Sequence, residues 1–233
     1  MDARTYTVLL QSFESKLRNG ELKLGDRLPG ERDLARQYGI SRASVREGLQ
    51  VLNALGLIRS GTGSGPRAGS VVISQPSQAL SWALRMHLAT RAFPVADVVA
   101  TRILLEGQAA RQAALQDDSA RDETALLRAQ AYVDELDDPN LSNARFHFCD
   151  AKFHYEISSL AGNLALKTVI DALHLATVSY VEEAVPRLPD WPATKVVLQE
   201  QHRQILAAVI DRDPDAAQQR VVDHISWFYS LIR

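Results

Sequence analysis

The chain has 233 residues, 46% of them apolar, which is enough to bury a sizeable core; disorder is excluded, and one large or two ordinary domains are expected. The formal net charge of -2 hides a split, because residues 1–75 carry 11 Lys and Arg against 7 Asp and Glu while residues 76–233 carry 15 against 21, so a basic module precedes an acidic remainder. No apolar run approaches the ~18 residues of a membrane span, no basic and apolar leader opens the chain, and Cys149 has no second cysteine; the expectation is a cytoplasmic protein with no membrane partner.

A first helix is predicted over residues 5–19, where Tyr6, Leu9, Leu10, Phe13 and Leu17 recur at helical spacing and Gly20 can close the run. Residues 22–28 read as extended, and Glu31-Arg32 opens a second helix near its positive end. Leu34, Ala35 and Tyr38 give that helix an apolar stripe, Gly39 can leave it with positive φ, and Ser41 is a good N-cap for a third. In the third helix Val45, Leu49 and Leu52 bury one side, so Arg42 and Arg46, one turn apart, share the free side and can enter a major groove together. Arg32 is placed to reach phosphate or a base edge. After Gly56, residues 57–59 and 71–73 read as short strands of a wing, whose loop with Gly65 and Arg67 would let backbone lie close to DNA. The predicted unit over residues 1–75 is thus a winged helix-turn-helix.

From Pro76 the strand signal vanishes. Residues 76–233 are predicted as an all-α bundle of seven helices at 77–90, 94–117, 119–136, 142–161, 164–185, 193–211 and 214–232, with stops at prolines, glycine-asparagine and acidic caps. The fold class is therefore mainly α. Asp150 and His154 are four apart and project from one helix face, while His202 and His224 lie among apolar neighbours in two later helices. A bundle can bring such groups together at its centre. Three imidazoles and a carboxylate suit a divalent metal such as zinc, nickel, cobalt, iron or manganese; the plainer alternative is four satisfied core or rim residues. His147, three before Asp150, competes as a ligand; His87 and His174 read as surface or core residues, and Trp82, Trp191, Trp227 and Tyr180 as packing groups or as walls of an effector pocket.

The run LPGERDLARQYGISRASVREGLQVLNALGLI resembles the winged-helix domain of the GntR superfamily of bacterial transcription regulators, over roughly residues 5–73. The resemblance implies operator contacts from Arg32, Arg42 and Arg46, help from a hydroxyl at Ser41 or Ser44, and a wing tip, here with Gly65 and Arg67, in the minor groove. DAKFHYEISSLAGN, QEQHRQILAAV and VVDHI are similar to the metal-ligand segments of the FadR-type branch, with its all-helical FCD domain. That similarity implies Asp150, His154, His202 and His224 as ligands, zinc foremost, and Arg102 and Glu106 of TRILLEGQAARQAA facing an effector pocket.

Physically Arg102 is a fork that can hold a carboxylate. The resulting expectation is a homodimeric repressor on a near-palindromic double-stranded operator, controlled by a small organic acid at the metal and not an enzyme. Two rivals remain at this level: a regulator that senses the metal alone, and a metallohydrolase. Against the hydrolase, no H-E-x-x-H pairs a ligand with a general base.

Overall fold

A computed structural model describes residues 6–61, 69–90, 92–117 and 122–232. The chain divides between Ala79 and Leu80 into two compact units, each described here by itself.

In the first unit α1 (Thr7–Arg18), α2 (Glu31–Tyr38) and α3 (Arg42–Ala54) precede a two-stranded antiparallel sheet of β1 (Ile58–Gly61) and β2 (Gly69–Val72), with Ile58 opposite Val72. Gly39 closes α2 at φ 64°, and Ser41 caps α3 by accepting from the Ser44 N–H at 3.0 Å. Between them these residues make the tight turn that sets the two helices at an angle. Leu9, Leu34 and Val45 form one buried cluster, and Phe13, Leu52, Ile58 and Val72 another beneath the sheet. Gly48 is needed where α1 crosses α3, since a Cβ there would come 2.7 Å from Leu9 Cδ2 and 3.3 Å from Tyr6 Cβ. The extended segment before α2 joins the sheet edge: Gly25 N–H donates to Val72 O and Leu28 N–H to Ser70 O, both at 2.9 Å. The strands sit within one or two residues of their predicted positions.

The helix α4 (Pro76–Ala89) carries the chain across the division. In the second unit follow α5 (Val95–Leu115), α6 (Glu123–Leu136), α7 (Asn143–Leu160), α8 (Leu164–Ala184), α9 (Trp191–Ile210) and α10 (Pro214–Leu231), with a 3₁₀ turn at Val185–Arg187 after α8. All seven predicted helices are present. Asp122, Ser142, Asn163, Asp190 and Asp213 each cap a helix by accepting a backbone N–H three residues on. Two starts differ from expectation. Capping by Asp122 delays α6 to Glu123, and Pro192 lies inside the first turn of α9, where its missing N–H costs nothing, so that helix begins at Trp191.

Helix α5 is the spine of this unit, packing on α7, α8, α9 and above all α10. Small residues make that possible: Ala109, Ala110, Ala113 and Ala114 are buried, and Gly107 has Val222 and Gln218 against it. Contrary to the sequence expectation, α8 with its following turn is long and apolar enough by length and composition to cross a membrane, at mean hydropathy 1.3. Its apolar side is a core side, with Ile170, Leu173 and Ala176 buried.

Candidate functional site

On the first unit, Arg32, Ser41, Arg42 and Arg46 are exposed and Ser44 half-buried. Arg42 and Arg46 share a face, as their spacing requires, but neither is free. Glu31 lies between them: Arg46 donates from Nε at 3.3 Å and from Nη2 at 3.0 Å, and Arg42 Nη2 stands 3.8 Å away. The hydrogen bond from Arg46 holds the Glu31 carboxyl below its usual value, against the opposing effect of burial. Gly65 and Arg67 lie outside the described residues.

On the second unit, α7 supplies Asp150 and His154, α9 His202 and α10 His224, and one ligand atom from each falls within 4.8 Å of the others. His154 Nε2 faces His224 Nε2 at 3.1 Å, and His202 Nε2 stands 3.1 Å from Asp150 Oδ1. All three imidazoles are buried, whereas the Asp150 side chain keeps 27% of its surface exposed and forms the open side. Burial drives the pKa of His202 down and that of His224 well down, so both rings are neutral near pH 7 and carry a lone pair. Burial pushes the Asp150 carboxyl up, but the facing His202 ring and then the His154 and His224 rings outweigh it and hold the group ionised.

This geometry fits a divalent cation on three counts. Two nitrogens that meet at about 3 Å have the spacing of neighbouring ligands bound at ~2.1 Å. His202 Nε2 is buried with no aligned hydrogen-bond partner among the described residues, and a cation would supply one. The far nitrogens of the other two rings have oxygens behind them: His224 Nδ1 is hydrogen-bonded to Gln201 Oε1 at 2.9 Å, which fixes ring orientation, and His154 Nδ1 is 2.9 Å from Glu106 Oε2. A second group, Glu106, His154 and His174, also converges. It is the poorer choice because Arg102 Nε already lies 2.7 Å from Glu106 Oε1, and a guanidinium there repels another cation.

Arg102 and Glu106, predicted to face the effector together, have different surroundings. Arg102 lines a cavity of about 640 Å³, open mouth included, together with Asp150, His174 and His224. Glu106 is 2% exposed, and its oxygens meet Arg102, His154 and, at 3.0 Å, His174 Nε2. The last two are close approaches rather than linear hydrogen bonds, since Oε2 has no aligned donor. Glu106 pKa is lowered well: desolvation opposes this, but Arg102, His174 and His154 prevail.

Residues 97–226 match the FCD domain family, and residues 5–67 match the family described as bacterial regulatory proteins, gntR family. The chain belongs to the gntR family. The Glc operon transcriptional activator of Escherichia coli (strain K12) is 31% identical over 94% of this chain and 85% of its own length. The HTH-type transcriptional repressor NanR of Salmonella newport (strain SL254) is 29% identical over 93% and 80%. Among solved structures, Streptococcus agalactiae GntR shares the fold at TM-score 0.61 and 19% identity, covering 97% of this chain and 99% of that one. This GntR-family protein is accordingly a DNA-binding transcription regulator and not an enzyme.

Three participants at the two candidate sites, His174, Tyr229 and Glu31, escape a reading of the sequence. His174 is buried beside Arg102 and Glu106, and its own helix offers no spaced partner to signal that; the inward stripe Ile170, Leu173, Thr177 was the available hint. Tyr229 lines the cavity with its hydroxyl buried and without a partner among the described residues. Trp191, one of the aromatic residues read as a possible pocket wall, does line the cavity, pinned by donating Nε1–H to Asn143 Oδ1 at 2.8 Å. Glu31 engages the two arginines of the next helix. His147, the rival ligand, lies 5.4 Å from the Trp191 ring at the cavity wall, and Cys149 is a small core group between Leu136, Phe146 and Leu198.

Proposed function

We propose that this regulator is a metal-containing, carboxylate-responsive repressor in which Asp150, His154, His202 and His224 hold a divalent cation, zinc by preference. The observation that carries the reading is the convergence of three buried imidazoles and one carboxylate within 4.8 Å, with oxygens behind the rings of His154 and His224. The N₃O donor set suits zinc, and nickel, cobalt, iron and manganese are the competitors. When bound, the cation supplies a positive charge with positions left open for an anion. Arg102 then offers the second grip on a carboxylate, a planar fork 8% exposed at the cavity wall. Glu106 and His174 keep that fork in place, and Glu106 at the same time stands behind His154.

On the DNA side, Arg42 and Arg46 read base edges and Arg32 helps set register, with Ser41 and Ser44 at the helix start. A two-fold homodimer presenting two such helices meets a near-palindromic operator in the cytoplasm. Occupying an operator blocks transcription with no further surface, whereas activation needs a polymerase contact as well; repression is the simpler assignment. A carboxylate acts by favouring one state of the FCD domain, with α4 as the covalent route to the reader.

The test measures metal content of the full chain, then operator affinity by fluorescence anisotropy with a panel of carboxylic acids, before and after chelation. The reading expects about one cation per chain and an acid-dependent affinity change that chelation abolishes. Affinity indifferent to both acids and chelation would sink it. A change that follows free metal with no acid present would favour the metal-only sensor, a reading that leaves Arg102 and the cavity without a role.

A further inference from the structure

The cavity is two-faced. One part of its lining is polar, with Arg102, Asp150, His174 and His224, the groups already assigned to an anionic head. The rest of the lining is mainly apolar, with Phe146, Val178, Val181, Trp191, Leu198 and Phe228 beside the polar His147 and Thr177. The aromatic part of that wall is ordered by its own contacts. Phe146 meets Trp191 edge to face at 5.5 Å and 81°, and Asn143 fixes the indole nitrogen, so the rings present a set surface. A short, fully hydrophilic acid would leave this surface facing water.

Tyr229 adds a second independent clue. It is 5% exposed and its Oη is buried with no partner among the described residues, while its ring stacks on Tyr180 at 5.9 Å and 9°. A buried hydroxyl without a partner costs free energy unless something else supplies one. Tyr229 shares the cavity with Arg102, and burial raises its pKa, so it stays a protonated donor at any working pH. The group that satisfies it must accept a hydrogen bond close to where the carboxylate sits.

We propose that the effector is a monocarboxylic acid with an apolar tail and an oxygen substituent beside the carboxyl group, the tail lying along Phe146, Trp191, Val178 and Phe228 and the substituent accepting from Tyr229. This deepens the carboxylate reading above and rests on it. The polar part sets that an acid binds; the apolar wall and Tyr229 set which acid.

The experiment is calorimetric titration of the metal-loaded full chain with acetate, butyrate, hexanoate, phenylacetate, mandelate, succinate and citrate. Each methylene buried should tighten binding by about fourfold, so the order is acetate, butyrate, hexanoate with rising affinity. Phenylacetate should exceed succinate and citrate, and mandelate, which adds only the hydroxyl, should exceed phenylacetate by about fivefold. Tyr229→Phe should erase the mandelate advantage and leave phenylacetate unchanged. Val178→Thr, isosteric and polar, should weaken phenylacetate and spare acetate, with thermal melting confirming that both variants are folded. Tightest binding by succinate or citrate, a flat chain-length series, or an undiminished mandelate advantage in Tyr229→Phe would each overturn the proposal while leaving a carboxylate sensor intact. Binding of none of the acids would instead remove the carboxylate reading and this one with it.

Discussion

Replacing Arg102 by Met tests how the polar part of the cavity lining is held together. The guanidinium is 8% exposed, donates Nε–H to Glu106 Oε1 at 2.7 Å and stands 3.0 Å from His174 Nε2. Glu106 is 2% exposed, so removing the fork leaves a buried carboxylate whose remaining neighbours, His154 and His174, are close but not aligned. Breaking one side of a buried pair costs about 3–5 kcal/mol, and the two nearby imidazoles place this case near ~3. For a chain of this size that is a fall in melting temperature of roughly 6–12 °C. Glu106→Gln on the Arg102→Met background removes the stranded charge and should recover about 2 kcal/mol of it. The assay is urea unfolding of the metal-free full chain followed by tryptophan fluorescence. All three tryptophans, Trp82, Trp191 and Trp227, lie after Leu80, so the signal reports the second unit alone. A loss below about 1 kcal/mol for Arg102→Met, or a double variant as unstable as the two single losses combined, would refute the pairing argument.

Three further outcomes follow from the same geometry. Arg46→Ala should cost about 1–3 kcal/mol of discrimination per half-site, read as a reduced ratio of operator to unrelated-duplex affinity; an unchanged ratio removes Arg46 from base reading. Ser41→Ala deletes the cap on α3, where the Ser44 N–H is bonded at 3.0 Å. Its cost is about 1 kcal/mol, seen as faster hydrogen exchange of the Ser44 and Val45 amides, and undiminished protection would contradict it. Cys149 is fully buried and burial pushes its thiol up to about 11, so at pH 8 dithiobis(nitrobenzoate) should label it only after denaturation; rapid native labelling would count against that placement.

Legibility in the sequence followed locality. Gly39, Ser41 and the stripe Val45, Leu49, Leu52 announce a turn and a helix because capping and periodicity act over a few residues. Asp150 and His154 share a face for the same reason. What distance in sequence hides is which faces meet. Glu106 and His174 come from α5 and α8, and nothing within either helix shows that they will touch. Glu31 likewise reaches Arg42 and Arg46 only once the turn at Gly39 has folded α2 against α3. Pro192 misleads in a different way: proline ends a helix in its interior but begins one in its first turn, and position alone decides which.

The central claim is a cation held by Asp150, His154, His202 and His224. It is tested most directly by anomalous diffraction at a metal absorption edge, on crystals of protein purified with no metal added. The account predicts one peak per chain about 2.0–2.2 Å from Nε2 of His154, His202 and His224 and from an Asp150 carboxylate oxygen. No peak, or a peak lying instead among Glu106, His154 and His174, would contradict it.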